Sequence, residues 1–189
     1  MIKPTRPARR ARLITAAELL AMGDIGRCEL LYGEIVMMSP AGAGHGEIAA
    51  RIGFLLMQHV DEKDAGAIFA AETGFVVETG PDVVRAPDVG FVRKNRVPRR
   101  NSRGFFKGVP DLAVEVVSFN DTRRDVAEKV NMWLAHGTTS VWVADPDAMT
   151  ITIHRTGQKS IRLSRKDAIR DEPLFPGLVI PVSNIFRNS

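Results

Sequence analysis

The run Leu112-Ala113-Val114-Glu115-Val116-Val117 is apolar at every position but one. A strand with one face in water alternates apolar and polar side chains. A strand that is apolar on both sides has both sides covered, as at the centre of a sheet flanked by helices. The run therefore calls for an α/β fold, and it sets Glu115 in the middle of a covered strand. An unpaired buried carboxylate is costly, so Glu115 requires a partner: an arginine, a lysine or a bound divalent metal.

Periodicity supplies the elements around this strand. Thr15 and Glu18 form a capping-box pattern ahead of a short helix that Gly23 closes. Strand-like runs over 28–32 and 34–38 flank Gly33 and predict a β-hairpin. Ile48, Ile52, Leu55, Leu56, His59 and Val60 recur at helical spacing and predict an amphipathic helix over 45–62, behind Gly42, Gly44 and Gly46. Strand-like runs follow over 67–77, 82–92 and 111–118. A helix capped by Asp121 or Thr122 then runs to about Ala135, Gly137 stops it, and 140–144 reads as a buried strand. The central order is helix, three strands, helix, strand. A turn at Asp145-Pro146-Asp147 leads into an alternating strand over 150–153, with a partner over 160–163.

A chain of 189 residues has room for one sizeable core, here a single domain over 13–189 behind a basic arm over 1–12. With 44% apolar and 25% charged residues it is expected to fold in water. Cys28 is the only cysteine, which excludes an intrachain disulfide and a cysteine zinc cluster and points to the cytoplasm. Neither a signal-peptide pattern nor a run of membrane-spanning length occurs, so no membrane association is expected.

The net charge is +4, and Lys3, Arg6, Arg9, Arg10 and Arg12 place five positives in the arm. Pro4 and Pro7 oppose a helix there, so the arm reads as flexible, either a solvated tail or a phosphate-contacting segment. Arg93, Lys94, Arg96, Arg99, Arg100, Arg103 and Lys107 form a second cluster without an intervening acid, in a stretch that reads as a long loop. Such a loop either attracts a polyanion such as nucleic acid or only solubilises the chain.

Two further charged residues stand in apolar surroundings. Asp88 follows Pro87 inside a strand-like run, where proline removes a ladder hydrogen bond and a bend can re-aim the carboxylate. Lys129 lies on the stripe of Val126, Val130, Trp133 and Leu134, so it faces the sheet and needs an anion. If Asp88, Glu115 and Lys129 converge, the two carboxylates suit Mg²⁺ or Mn²⁺ and the lysine can orient water or phosphate. A structural lysine–glutamate pair beside a solvated Asp88 explains the same residues without catalysis.

Ala86-Pro87-Asp88-Val89, Val114-Glu115-Val116-Val117-Ser118, and Glu128-Lys129 with Trp133-Leu134-Ala135-His136-Gly137 resemble the Uma2 family, also called DUF820. The likeness extends over nearly the whole chain beyond the arm, including the hairpin, Ser39-Pro40 followed by His45, and Ala144-Asp145-Pro146. The resemblance implies a PD-(D/E)xK-type endonuclease with a restriction-endonuclease-like core, a mixed sheet flanked by helices with an N-terminal hairpin and C-terminal strands. It departs from the simple motif at Val117, two residues after Glu115, where a lysine is usual. The resemblance suggests a migrated lysine, Lys129, beside metal-holding Asp88 and Glu115. By the same resemblance His45 lines the site, where its imidazole could meet a phosphate or the metal's water shell; capping or packing is the alternative. Glu29, Glu34 and Glu72 are further acids that could complete a metal shell, although carboxylates at strand edges and turns usually face water, and Glu34 is kept as a second-tier candidate.

Gly42-Ala43-Gly44-His45-Gly46-Glu47 lacks the third glycine of a dinucleotide loop, and neither a P-loop, H-E-x-x-H nor G-x-S-x-G is present. The expectation is a Mg²⁺- or Mn²⁺-dependent endonuclease acting on DNA, with the basic loop and arm on the backbone; a homodimer would supply the two sites that breaking both strands often uses. A binding module of the same fold without turnover and a structural partner protein are the other two readings.

Overall fold

The computed structural model describes residues 12–99 and 102–187; the arm before Arg12, and Arg100 of the basic loop, lie outside them. The chain enters through α1 (Ala16–Ala21), whose Thr15 cap exchanges hydrogen bonds with Glu18 at 2.9 and 3.2 Å. Strands β1 (Cys28–Leu31) and β2 (Glu34–Met37) form the expected hairpin. Its turn residues Tyr32 and Gly33 have φ of 52° and 81°, the left-handed pair that matches strand twist. Helix α2 (Ala43–Lys63) buries Ile48, Ile52, Leu56 and Val60 at four-residue spacing, one stripe along its length.

Next come β3 (Gly66–Ala70), β4 (Phe75–Glu78), β5 (Val83–Arg85) and β6 (Val89–Arg93). Here the structure corrects the sequence reading: 67–77 and 82–92 are each two strands, and the halves enter different sheets. The inner halves β4 and β5 pair with each other, and the outer halves β3 and β6 do the same. Alternation along a chain is blind to such a switch, because each half keeps its own period of two. The second break falls at Ala86-Pro87-Asp88, where proline interrupts the ladder.

The remaining elements are β7 (Phe106–Lys107), β8 (Leu112–Val116), α3 (Arg123–Ala135), β9 (Ser140–Asp145), β10 (Thr150–His154), β11 (Ile161–Leu163), β12 (Ala168–Ile169), β13 (Ile180–Pro181) and α4 (Val182–Ile185). They complete a six-stranded sheet, β11-β10-β9-β8-β6-β3, a five-stranded sheet, β2-β1-β5-β4-β7, and the pair β12-β13. Strands β8 and β9 are parallel and joined through α3, while β6 runs antiparallel to β8.

The central strand is covered on both sides, as its composition demands. Leu112, Val114 and Val116 pack with Ile48, Ile52, Leu56 and Val60 of α2, and Ala113 packs with Val130 and Trp133 of α3. Alternation puts Glu115 on the α3 side with Ala113. The closing segment seals the α2 side: the Phe175 ring lies 4.7 Å from Phe91 and 6.3 Å from Trp142. Among the described residues no helix is long and apolar enough to cross a membrane.

Glu172, 1% exposed, accepts hydrogen bonds from Arg155 at 2.9 Å, Trp142 at 3.0 Å and Ser140 at 3.1 Å. Removing one member of a buried ion pair strands the other charge, which costs about 3–5 kcal/mol. Arg155→Met is therefore expected to lose that much stability in urea unfolding at neutral pH, and adding Glu172→Leu to recover part of it.

Candidate active site

The crossing between sheets sets the site. Asp88 stands at its exit, where its N–H donates to Val114 C=O at 3.0 Å and its Oδ2 accepts from the Val116 N–H at 2.8 Å. Both bonds tie it to β8 on either side of Glu115. The residue is 6% exposed, as is Glu115. Arg27 approaches Asp88 Oδ1 at 3.8 Å, and His45, in the first turn of α2, brings Nε2 to 3.2 Å from Oδ2.

Glu115 is held from α3. Trp133 donates its indole N–H to Oε1 at 2.7 Å, and Lys129, one helical turn earlier, places Nζ 3.4 Å from Oε2. The lysine lies where the sequence puts it, on the stripe facing the sheet. Val117 does not occupy its role; the ammonium arrives from the following helix.

Asp88, Glu115, Lys129 and His45 open on one cavity of about 690 Å³ at the carboxyl ends of β8 and β9. In α/β sheets this is where ligands settle, beyond the ends of parallel strands. Among the described residues its wall holds seven carboxylates, those of Asp24, Glu29, Glu72, Asp88, Glu115, Asp121 and Asp147, against the permanent cations Arg27 and Lys129.

Of the hairpin acids, Glu29 is the one in the cavity. It is buried, accepts from the Ala86 N–H at 3.3 Å and lies 3.1 Å from Arg85. Glu34 is exposed at the turn end of the edge strand β2, opposite Leu31, and does not line the cavity. The signal for Glu29 was present: it interrupts an apolar run, the same anomaly that marks Glu115. Arg27 carries no comparable signal, since it precedes β1 in an irregular segment.

The basic loop is elsewhere. Arg93 and Arg96 lie 3.7 and 3.0 Å from Asp111, Arg96 also donates to Val109 C=O at 2.7 Å, and Lys94 pairs with Asp64. They follow the end of β6 opposite Asp88. Arg99, Arg103 and Lys107 are exposed, and none of the described cations of this loop lines the cavity.

Electrostatics follow from burial. Desolvation, reinforced by Asp88 and Glu29 and opposed by Lys129 and the Trp133 hydrogen bond, pushes the Glu115 carboxyl up to about 7. His45 is raised, first by its hydrogen bond to Asp88 and then by that carboxylate's charge, against burial and the nearby Arg27 and Lys129. Burial works against the Lys129 ammonium, but Glu115, Asp121, Asp88 and Glu29 outweigh it and raise its pKa. Among the described residues no three His, Cys, Asp or Glu side chains form a ready-made metal cage.

Within the six-stranded sheet the chain runs α2, then β3, β6 and β8, then α3 and β9, which is the expected order of helix, three strands, helix and strand, with helices on both faces. The Uma2 family model, described as "Putative restriction endonuclease", matches residues 16–183, and the chain belongs to that family. A crystal structure from Anabaena variabilis ATCC 29413, of a "putative nuclease belonging to DUF820", shares the fold with a TM-score of 0.77. That match covers 92% of this chain and 98% of that one at 21% identity. No curated protein matches the chain.

The raised Glu115 carboxyl has a consequence for the metal-free protein. Between pH 4.5 and about 7 the unfolded chain ionises Glu115 while the folded chain keeps the proton, so native stability falls as pH rises through that window. The full effect is on the order of 3 kcal/mol. Urea midpoints followed from pH 4.5 to 8 in a chelator are expected to decline more steeply in wild type than in Glu115→Gln.

Proposed function

We propose that this protein is a metal-dependent nuclease that hydrolyses phosphodiester bonds, with DNA as its substrate. The observation that carries the reading is the meeting of Asp88, Glu115 and Lys129 at one cavity in a member of the Uma2 family.

The residues fit a hard divalent cation. Each carboxylate gives one oxygen to a protein N–H, Asp88 Oδ2 to Val116 and Glu115 Oε1 to Trp133. The other oxygens, Asp88 Oδ1 and Glu115 Oε2, have only cationic neighbours at 3.8 and 3.4 Å. Two carboxylates with water and substrate oxygens suit Mg²⁺ or Mn²⁺, which keep much of their hydration. The acid-rich wall needs such a charge before a phosphate can approach. When bound, the cation supplies Lewis-acid polarisation of the phosphoryl oxygen and a more acidic water.

The protein's own groups do the positioning. Asp88 and Glu115 would hold the cation. Lys129, fixed by Glu115 and not free to swing, orients the attacking water and stabilises charge on the phosphate. Arg27 offsets a phosphate charge from the opposite wall. His45, hydrogen-bonded to Asp88, fixes that carboxylate's orientation, and Glu29 holds the backbone just ahead of Pro87-Asp88.

Purified protein with Mg²⁺ or Mn²⁺ is expected to cut DNA and EDTA to abolish cutting. Asp88→Asn, Glu115→Gln and Lys129→Ala should each lower the rate at least about 100-fold at equal folded concentration. Cutting that persists undiminished in all three variants would overturn the assignment, and DNA retention without cutting by wild type would favour the binding module. A second readout needs no turnover: Mn²⁺ should raise the thermal midpoint more at pH 8 than at pH 5, because Glu115 is ionised only at the higher pH, and Asp88→Asn should blunt that rise.

A further inference from the structure

The segment between β8 and α3 carries a side chain for which neither packing nor the proposed chemistry has a use. Phe119 is 99% exposed, whereas the next most exposed large apolar side chain among the described residues, Tyr32, is 61% exposed. A phenyl ring held wholly in water forgoes the burial that apolar surface ordinarily finds.

The backbone around the ring is pinned. Val117 N–H donates to Ala144 C=O at 2.8 Å, Ser118 N–H to the Asp121 carboxylate at 2.8 Å, and Asp121 N–H to Ser118 C=O at 3.0 Å. The Thr122–Asp125 capping box begins immediately afterwards. Phe119 is thus presented on a fixed turn, and it lines the same cavity as Asp88, Glu115 and Lys129. It stands four positions after Glu115, which bounds their Cα separation at roughly 14 Å.

We propose that Phe119 is a stacking platform for an unpaired base next to the phosphate being cut, so that the substrate is single-stranded nucleic acid or an unpaired end. The inference rests on the nuclease reading and narrows its substrate. In a duplex the faces of the bases are covered by their stacked neighbours, so an aromatic ring reaches a base face without an unstacking cost only where stacking is already interrupted, as in a single strand or at an end. The described cations of the loop that begins at Arg93 do not line the cavity and are partly taken up by Asp111. A single strand needs one cut and therefore one copy of the chain.

Initial rates with Mn²⁺ on a single-stranded DNA oligonucleotide, on the same strand in a fully paired duplex, and on the same strand with abasic residues test the idea in wild type, Phe119→Ala and Phe119→Trp. Wild type is expected to prefer the single strand over the duplex. Phe119→Ala should lose roughly 5- to 150-fold in kcat/KM on the single strand, with little further loss on abasic DNA. Phe119→Trp should retain the rate, and all three proteins should melt alike because the ring touches no core. A duplex cut as fast as the single strand, or Phe119→Ala undiminished while wild type cuts, overturns this inference alone. Wild type that cuts no DNA under any of these conditions overturns the nuclease reading together with it.

Discussion

The bond from the Val116 N–H to the Asp88 carboxylate, 2.8 Å long and buried, is the joint on which this architecture turns. The chain leaves one sheet at Arg85 and enters the other at Val89, and in the three residues between them a proline has no N–H to offer. A crossing of this kind would leave buried backbone groups without partners. Asp88 and Glu29 prevent that, the first by taking up the Val116 N–H and the second by accepting from Ala86. Both carboxylates that make the crossing tolerable also face the cavity, so this part of the site's geometry is a by-product of how the two sheets are joined.

The opposite wall is built with similar economy. Lys129 and Trp133 stand one turn apart on α3 and both reach Glu115, so one helix face satisfies the charge and a lone pair of one carboxylate. This compensation is partial, since Glu115 holds its proton to about pH 7. A fully satisfied carboxylate would be ionised well below that, and it would also have less to offer a cation. The metal-free site is in effect an incomplete electrostatic structure: too many acids for its cations, stable because a proton resides on Glu115 at moderate pH.

Three of the residues at this site were legible because each violates the pattern of its own element. Glu115 breaks an apolar strand, Lys129 sits on a buried stripe, and Asp88 follows a proline inside a strand-like run. The helix boundaries were legible for a related reason, since caps and glycine stops are local chemistry: Thr122 with Asp125 fixes the start of α3 where the sequence places it. What failed to show was whatever depends on residues distant in the chain. The sheet switch that splits 67–77 and 82–92 leaves alternation intact. The partners of Arg93, Arg96 and Lys94 are Asp111 and Asp64, which lie outside the acid-free stretch that made the loop look bare.

The placement of charge bears on how a polyanion could be held. Strand β6 has five residues and so is roughly 16 Å long, and it separates Asp88 from Arg93 and the loop beyond it. At physiological ionic strength the Debye length is about 8 Å, so these exposed cations act on the cavity across about two screening lengths. Three of them are further offset by Asp111 and Asp64. They cannot balance seven carboxylates at the strand ends. Among the described residues, attraction of a phosphate to the site arises locally, from Arg27 and Lys129 on the cavity wall. In the proposed reading, occupancy of the carboxylate pair would thereby be a condition for substrate to approach as well as for the chemistry that follows.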